Sequence, residues 1–227
     1  MTESRPPVPE EARQLNRSPS WQKPAEVYGA VAAAVAGVAW IATGLLRVAW
    51  IVAPGLLPDP RDSWALGFVF ILLFVVALIG TLGGLVGLHA RQRESYGRLG
   101  RVGFLLALIW TVSVLALTIL SEVTLPPQGV GGLGIGILVV SGVVRSAVVE
   151  RVVEVVVAGL VGTGVLDLGL ALMGIATLLR DGTLPRWCGW LLIIGAGGSF
   201  LFGGLVLGLV WLALAYALWS RRSVPAD

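Results

Sequence analysis

Hydrophobic positions in this chain fall in long, nearly unbroken runs separated by short polar stretches. Neither the two-residue alternation of a half-buried strand nor the narrow stripe of a soluble amphipathic helix dominates. Runs of this length predict membrane-crossing helices, which need roughly 18 or more apolar residues. The first run covers about 28-53 and closes at Pro54; the second covers 64-88. Between them lies "PGLLPDPRDS", rich in turn-forming Pro and Asp, with Trp50 and Trp64 as interfacial anchors on either side. A third run, 102-121, leads into the cation-free stretch "EVTLPPQGVGG".

The stretch "SGVVRSAVVERVVEVVVAG" breaks the pattern, because valines are interrupted by Arg145, Glu150, Arg151 and Glu154. On a helical projection Ser146, Ala147, Glu150, Arg151 and Glu154 share one arc, and Val144, Val148, Val152, Val155 and Val156 the other. No Gly, Pro or Asn within "ERVVE" would turn a span there. Residues 139-154 therefore read as an amphipathic helix at the outer interface, leading into a fourth span at 155-179. The last apolar stretch, Trp187 to Trp219, would be about 50 Å long as one helix, against a hydrocarbon layer of about 30 Å. Either one long helix tilts, giving five spans, or the chain turns back at "GAGGSFLFGG" into spans 187-201 and 204-219, giving six. The paired Arg221 and Arg222 beside Trp219 favour a cytoplasmic end and so the even number.

The fold class is thus all-α: a polytopic transmembrane bundle, a single domain over 28-220. A disordered cytoplasmic tail is expected at 1-27, which has nothing apolar to bury, and a short cytoplasmic tail at 221-227. Composition agrees: 56% of the 227 residues are hydrophobic and 13% charged, where a soluble domain carries about 25% charged residues. The net charge of +3 collects at span ends, above all in "HARQRESYGRLGR", which places that loop and the N-terminus in the cytoplasm. No basic and aromatic platform lies outside the spans, so nucleic acid is not an expected partner. The lipid bilayer is, together with a membrane-protein partner or a second copy of the chain.

Several chemistries are excluded by counting. Lys23 is the only lysine and precedes the spans, His89 is the only histidine and Cys188 the only cysteine. A retinal Schiff base in the bundle, a bis-histidine haem, an intrachain disulfide and a histidine-rich metal site are therefore ruled out. No catalytic or nucleotide-binding motif is present, and "GIGILVVSG" and "GLVGTG" lack the preceding strand of a dinucleotide fingerprint. No enzyme activity, metal or cofactor is expected.

One set of charges needs an account. Asp167, in "GTGVLDLGLALMG", sits about 18 Å below the outer surface, and Arg47, in "ATGLLRVAW", about 9 Å below it. Each shares its helix face with small or weakly polar neighbours, so each is expected to point at another helix. A charge at such depth costs at least about 2.5–3.5 kcal/mol. Arg47, Asp167, Glu154 and Glu122 form the candidate intramembrane polar site. They read as a buried ion pair that fixes helix partners, with Asp167 protonated as an alternative, or as a polar pocket or proton relay. Gly80, Gly84, Gly83, Gly87, Gly204 and Gly208 have the small-xxx-small spacing of close helix contacts.

The segments "LLRDGTLPRWCGWLLIIGAGGSF" and "GLHARQRESYGRLGRVGFLLAL" resemble a broad group of uncharacterised six-span bacterial integral membrane proteins. That resemblance implies six spans, a Pro-Arg turn between the fourth and fifth, both termini inside and no assigned activity. This chain departs from it in having almost no outer loop between its last two spans. The expectation is therefore a non-catalytic structural, accessory or interaction subunit of a bacterial plasma membrane. The alternative is a small transporter or channel-like protein using Arg47 and Asp167. Spans one to three show no convincing match to the remainder, which counts against an inverted-repeat transporter.

Overall fold

A computed structural model describes residues 22–53, 63–93, 95–124, 164–180 and 184–220. They form six helices: α1 (Gln22–Val52), α2 (Trp64–Gln92), α3 (Gly97–Thr124), α4 (Gly164–Leu179), α5 (Arg186–Phe202) and α6 (Gly204–Ser220). Among the described residues there is no strand, and all their regular structure is helical. Three stretches, Ala25–Trp50, Ala65–Gln92 and Gly97–Ala116, are long and apolar enough to cross a membrane. The expected interfacial helix at 139-154, and the beginning of the span at 155-179, lie outside the described residues.

Helix limits differ from the apolar runs, because a helix does not stop where hydrophobicity does. The expected tail at 1-27 overlaps α1, which already begins at Gln22. Pro24 sits in its first turn, where a missing N–H removes no intrahelical bond. α2 runs on to Gln92, and α3 extends past both ends of 102-121. The long final stretch is two helices, separated at Gly203, whose φ of +60° suits glycine and whose N–H caps the Ser199 carbonyl.

Successive helices pack against one another and α6 returns to α1, so the six close a ring in chain order. The tightest seams are α1 with α2 and α6, and α4 with α3 and α5; the α2–α3 and α5–α6 seams are looser. Neighbours run antiparallel: Gly29 of α1 meets Gly87 of α2 while Gly80 lies on Ala36 and Ala32. Reciprocal glycine pairs let backbones touch. A Cβ on Gly208 would stand 2.6 Å from the Gly37 carbonyl oxygen, and one on Gly103 would stand 2.7 Å from that of Gly169. In lipid, where apolar burial gives no net drive, such close contact is the main source of helix association.

The interior is filled by large side chains. Trp211, Leu214 and Leu218 of α6, Leu78, Leu85 and Leu88 of α2, Leu170 and Met173 of α4 and Leu192 of α5 are all buried. The outside is apolar as well: Val38, Ile79, Ile109, Leu168, Ile194 and Leu209 are exposed. An apolar exterior around a packed core is the surface of a helical membrane protein. The α2 and α4 C-termini and the α3 and α5 N-termini bring Arg91, Arg93, Arg98, Arg101, Arg180 and Arg186 to one end of the ring.

Candidate functional site

Polar side chains gather at the two ends of the bundle. At the end opposite the arginines, Asp167 lies in the first described turn of α4, half-buried against α5. The Ser199 hydroxyl donates to its Oδ1 at 2.5 Å. Ser199 is itself buried and lies one helical turn before Gly203. Its carbonyl is the acceptor for the Gly203 N–H at 2.9 Å. Arg47 approaches the same turn from the other side: its Nη1 would be 3.9 Å from a Cβ on Gly203. A cation here faces the carbonyl end of α5, where the helix dipole favours it. Arg47 is exposed, consistent with a long side chain reaching outward past the apolar layer.

Arg47 and Asp167 thus converge on one helical turn with Ser199–Gly203 between them, Arg47 on α1 and Asp167 on α4. Those two helices pack on different neighbours. Glu122 falls in the last turn of α3, where its side chain is outside the description, and Glu154 lies outside the described residues. Ser199 was the partner that sequence reasoning missed. In "GAGGSFLFGG" it looks like turn material, and only the antiparallel return of α5 along α4 sets it opposite Asp167.

The six glycines singled out by spacing all lie at helix contacts. Gly80 and Gly83 lie on Ala32 and Gly87 on Gly29, while Gly84 faces Trp211 and Ala33. Gly204 rests on the Trp40 carbonyl and Gly208 on Gly37 and Ile41. One further polar contact crosses the α1–α2 seam, where the Trp40 indole N–H donates to Thr81 Oγ1 at 3.1 Å.

The arginine end holds a second buried group that sequence reading assigned to an aqueous loop. Gln92 is 1% exposed and accepts from the Thr177 hydroxyl at 3.3 Å, linking α2 to α4. Tyr96 is 2% exposed in the turn before α3, and its hydroxyl has no hydrogen-bond partner among the described residues. Burial, and secondarily the neighbouring Cys188 thiol, pushes the Tyr96 phenol well above its ordinary range. His89 stacks on Phe104 at 4.1 Å. The signal for Gln92 was present: Leu78, Leu85 and Gln92 are spaced by seven residues, so Gln92 continues a buried helical face. Arg91 donates to the Leu218 carbonyl at 2.9 Å, capping α6, and Arg180 reaches the Ser95 carbonyl at 3.5 Å.

Chemically, one end brings the Asp167 carboxyl and the Ser199 hydroxyl to the turn that Arg47 approaches, and the other combines the buried neutral groups Gln92, Thr177 and Tyr96 with the arginines. His89 lies at the opposite end from Asp167, so the two do not form a nucleophile–base arrangement. Among the described residues no group of three His, Cys, Asp or Glu side chains is placed to hold a metal. No protein family, curated protein or solved structure matches the chain.

Proposed function

We propose that the chain is a six-span, non-catalytic protein of a bacterial plasma membrane, acting as a structural or accessory subunit through contacts within the bilayer. The observation that carries this reading is the packed interior: Trp211, Leu214, Leu218, Leu85 and Leu88 fill the space where a conducting protein would need a polar path. The arginine end supports a cytoplasmic side shared by both tails. Arg47 and Asp167 then serve to seat the α5–α6 turn against α1 and α4, a packing role that needs no solute.

A second reading, a small transporter, is favoured by one observation. A carboxylate bonded to a hydroxyl and an exposed arginine meet at one turn, an arrangement able to receive a proton or small ion from that side. Purification in mild detergent followed by mass spectrometry of co-purifying proteins separates the two. A stoichiometric membrane partner is the expected result for the accessory role. A lone protein whose vesicles pass protons or solutes, with the flux lost in Asp167→Asn, would overturn it.

A further inference from the structure

We infer that the six helices are two inverted copies of one three-helix unit, α1–α3 and α4–α6, and that the bundle rocks about its two glycine turns, opening its ends in alternation. The inference concerns how the bundle is built and moves, and it stands under either reading of the function.

Sequence gives the first support, in a short match that a comparison of whole spans does not show. "IATGLLR", residues 41–47 on α1, recurs as "IATLLR", residues 175–180 at the end of α4, with only Gly44 inserted. Downstream of each, "LPDPRDSW" in the first unit and "LPRWCGW" in the second lead into α2 and α5, although α1 runs on to Val52 past its arginine whereas α4 ends at Leu179. The insertion of Gly44 shifts the register by one residue and hides the relation from a comparison of whole spans.

Structure gives the second. The matched arginines do equivalent things at opposite ends. Arg47 stands over Gly203, the turn between the second and third helices of the other unit. Arg180 stands over Gly97, the turn between the second and third helices of the first unit: a Cβ on Gly97 would lie 2.5 Å from its guanidinium carbon. Gly97 and Gly203 are the described glycines with positive φ, +58° and +60°. The matched threonines, Thr43 and Thr177, are both 4% exposed beside those arginines.

Packing gives the third. Exchanging α1 with α4, α2 with α5 and α3 with α6 carries each tight seam onto a tight seam and each loose seam onto a loose one. The third helix of each unit packs on the first helix of the other, through the pairs Gly37/Gly208 and Gly103/Gly169. The units have diverged in length, with α5 and α6 of 17 residues each against 29 and 28 for α2 and α3. An odd number of spans per unit makes the copies inverted across the membrane. Two tightly packed bodies result, α6–α1–α2 and α3–α4–α5. They are joined by loose seams and by two turns on opposite sides, each with an arginine beside it. Small-angle rocking of such bodies closes one end as it opens the other.

Reciprocity is the test. On a Cys188→Ala background, single probes Thr43→Cys and Thr177→Cys are labelled with a membrane-impermeant maleimide, in vesicles of each orientation. Arg47→Ala is expected to speed labelling of the Thr43→Cys probe several-fold from its own side and to slow the Thr177→Cys probe from the other; Arg180→Ala should do the converse. A change at the near probe alone, both probes moving together, or no change overturns the inference. If either alanine variant does not fold, Arg47→Gln and Arg180→Gln replace them, with the same reciprocal changes expected and their absence overturning the inference.

Discussion

Adding one methyl group at Gly208 probes whether the α1–α6 seam is as close as the structure makes it. The new Cβ would stand 2.6 Å from the Gly37 carbonyl oxygen, 2.7 Å from Ile41 Cγ1 and 2.9 Å from the Ile41 amide nitrogen. Two of these are backbone atoms of α1, so no side-chain rotation relieves the contact. Ordinary contact begins near 3.4 Å, so the helices must part by about 0.8 Å, enough to forfeit a quarter to a half of each dispersion contact along the seam. Overpacking of this kind costs roughly 1–3 kcal/mol. Gly197→Ala is the matched control, because a Cβ there meets nothing within 4 Å. It should be neutral, or stabilise by up to about 1 kcal/mol through the helix preference of alanine. Tryptophan fluorescence of the detergent-solubilised protein during heating reads both, with nine tryptophans as reporters. Gly208→Ala should melt several degrees below the parent and Gly197→Ala at or above it. Equal melting of the two variants would refute the close-seam reasoning.

Other expectations follow from the polar groups. Ser199→Ala removes the donor to Asp167 and should cost about 1–2 kcal/mol, reduced from the buried range by the carboxylate's partial exposure; Asp167→Asn keeps an acceptor and should cost less, and the reverse order of melting temperatures would contradict the bond. Tyr96→Phe should leave stability unchanged or raise it, since the hydroxyl it deletes is buried and has no partner among the described residues. The folded-state pKa of Tyr96 lies above its unfolded value near 10, so its neutral form contributes stability that is intact below that value and lost as pH rises beyond it. The alkaline fall in melting temperature should therefore be shallower in Tyr96→Phe, and identical slopes would exclude Tyr96 as its source. Cys188 is fully buried, so maleimide should react slowly with the folded protein and fast in denaturing detergent; equal rates would show the site to be open.

Hydrophobic run length made the helical class and the three long helices legible, because each run must satisfy its own backbone hydrogen bonds within a bilayer. It did not give the ends. α1 and α3 carry polar turns beyond their apolar segments, as Gln22 and Gly97 show. The break at Gly203 was readable from glycine density and from Arg221 and Arg222 beside Trp219. Side-chain pairing was less legible. Asp167 stood out because a carboxylate is costly among leucines, yet its bond to Ser199 depends on how α5 returns along α4. Gln92 and Tyr96 sit among arginines in sequence and read as solvated, whereas the ring closes over them. The repeated "IAT…LLR" was hidden by the single inserted Gly44.

The central claim, an even-numbered bundle with its arginine end in the cytoplasm, is tested most directly by reporter fusions in a bacterium. A fluorescent protein that matures only inside and a phosphatase active only outside would each be joined at residues 57, 94, 130 and 182 and after Asp227. Fluorescence at 94, 182 and the C-terminus, with phosphatase activity at 57 and 130, is the expected result. Phosphatase activity at the C-terminus, with 182 still fluorescent, would leave α5 and α6 as a single crossing and contradict the account.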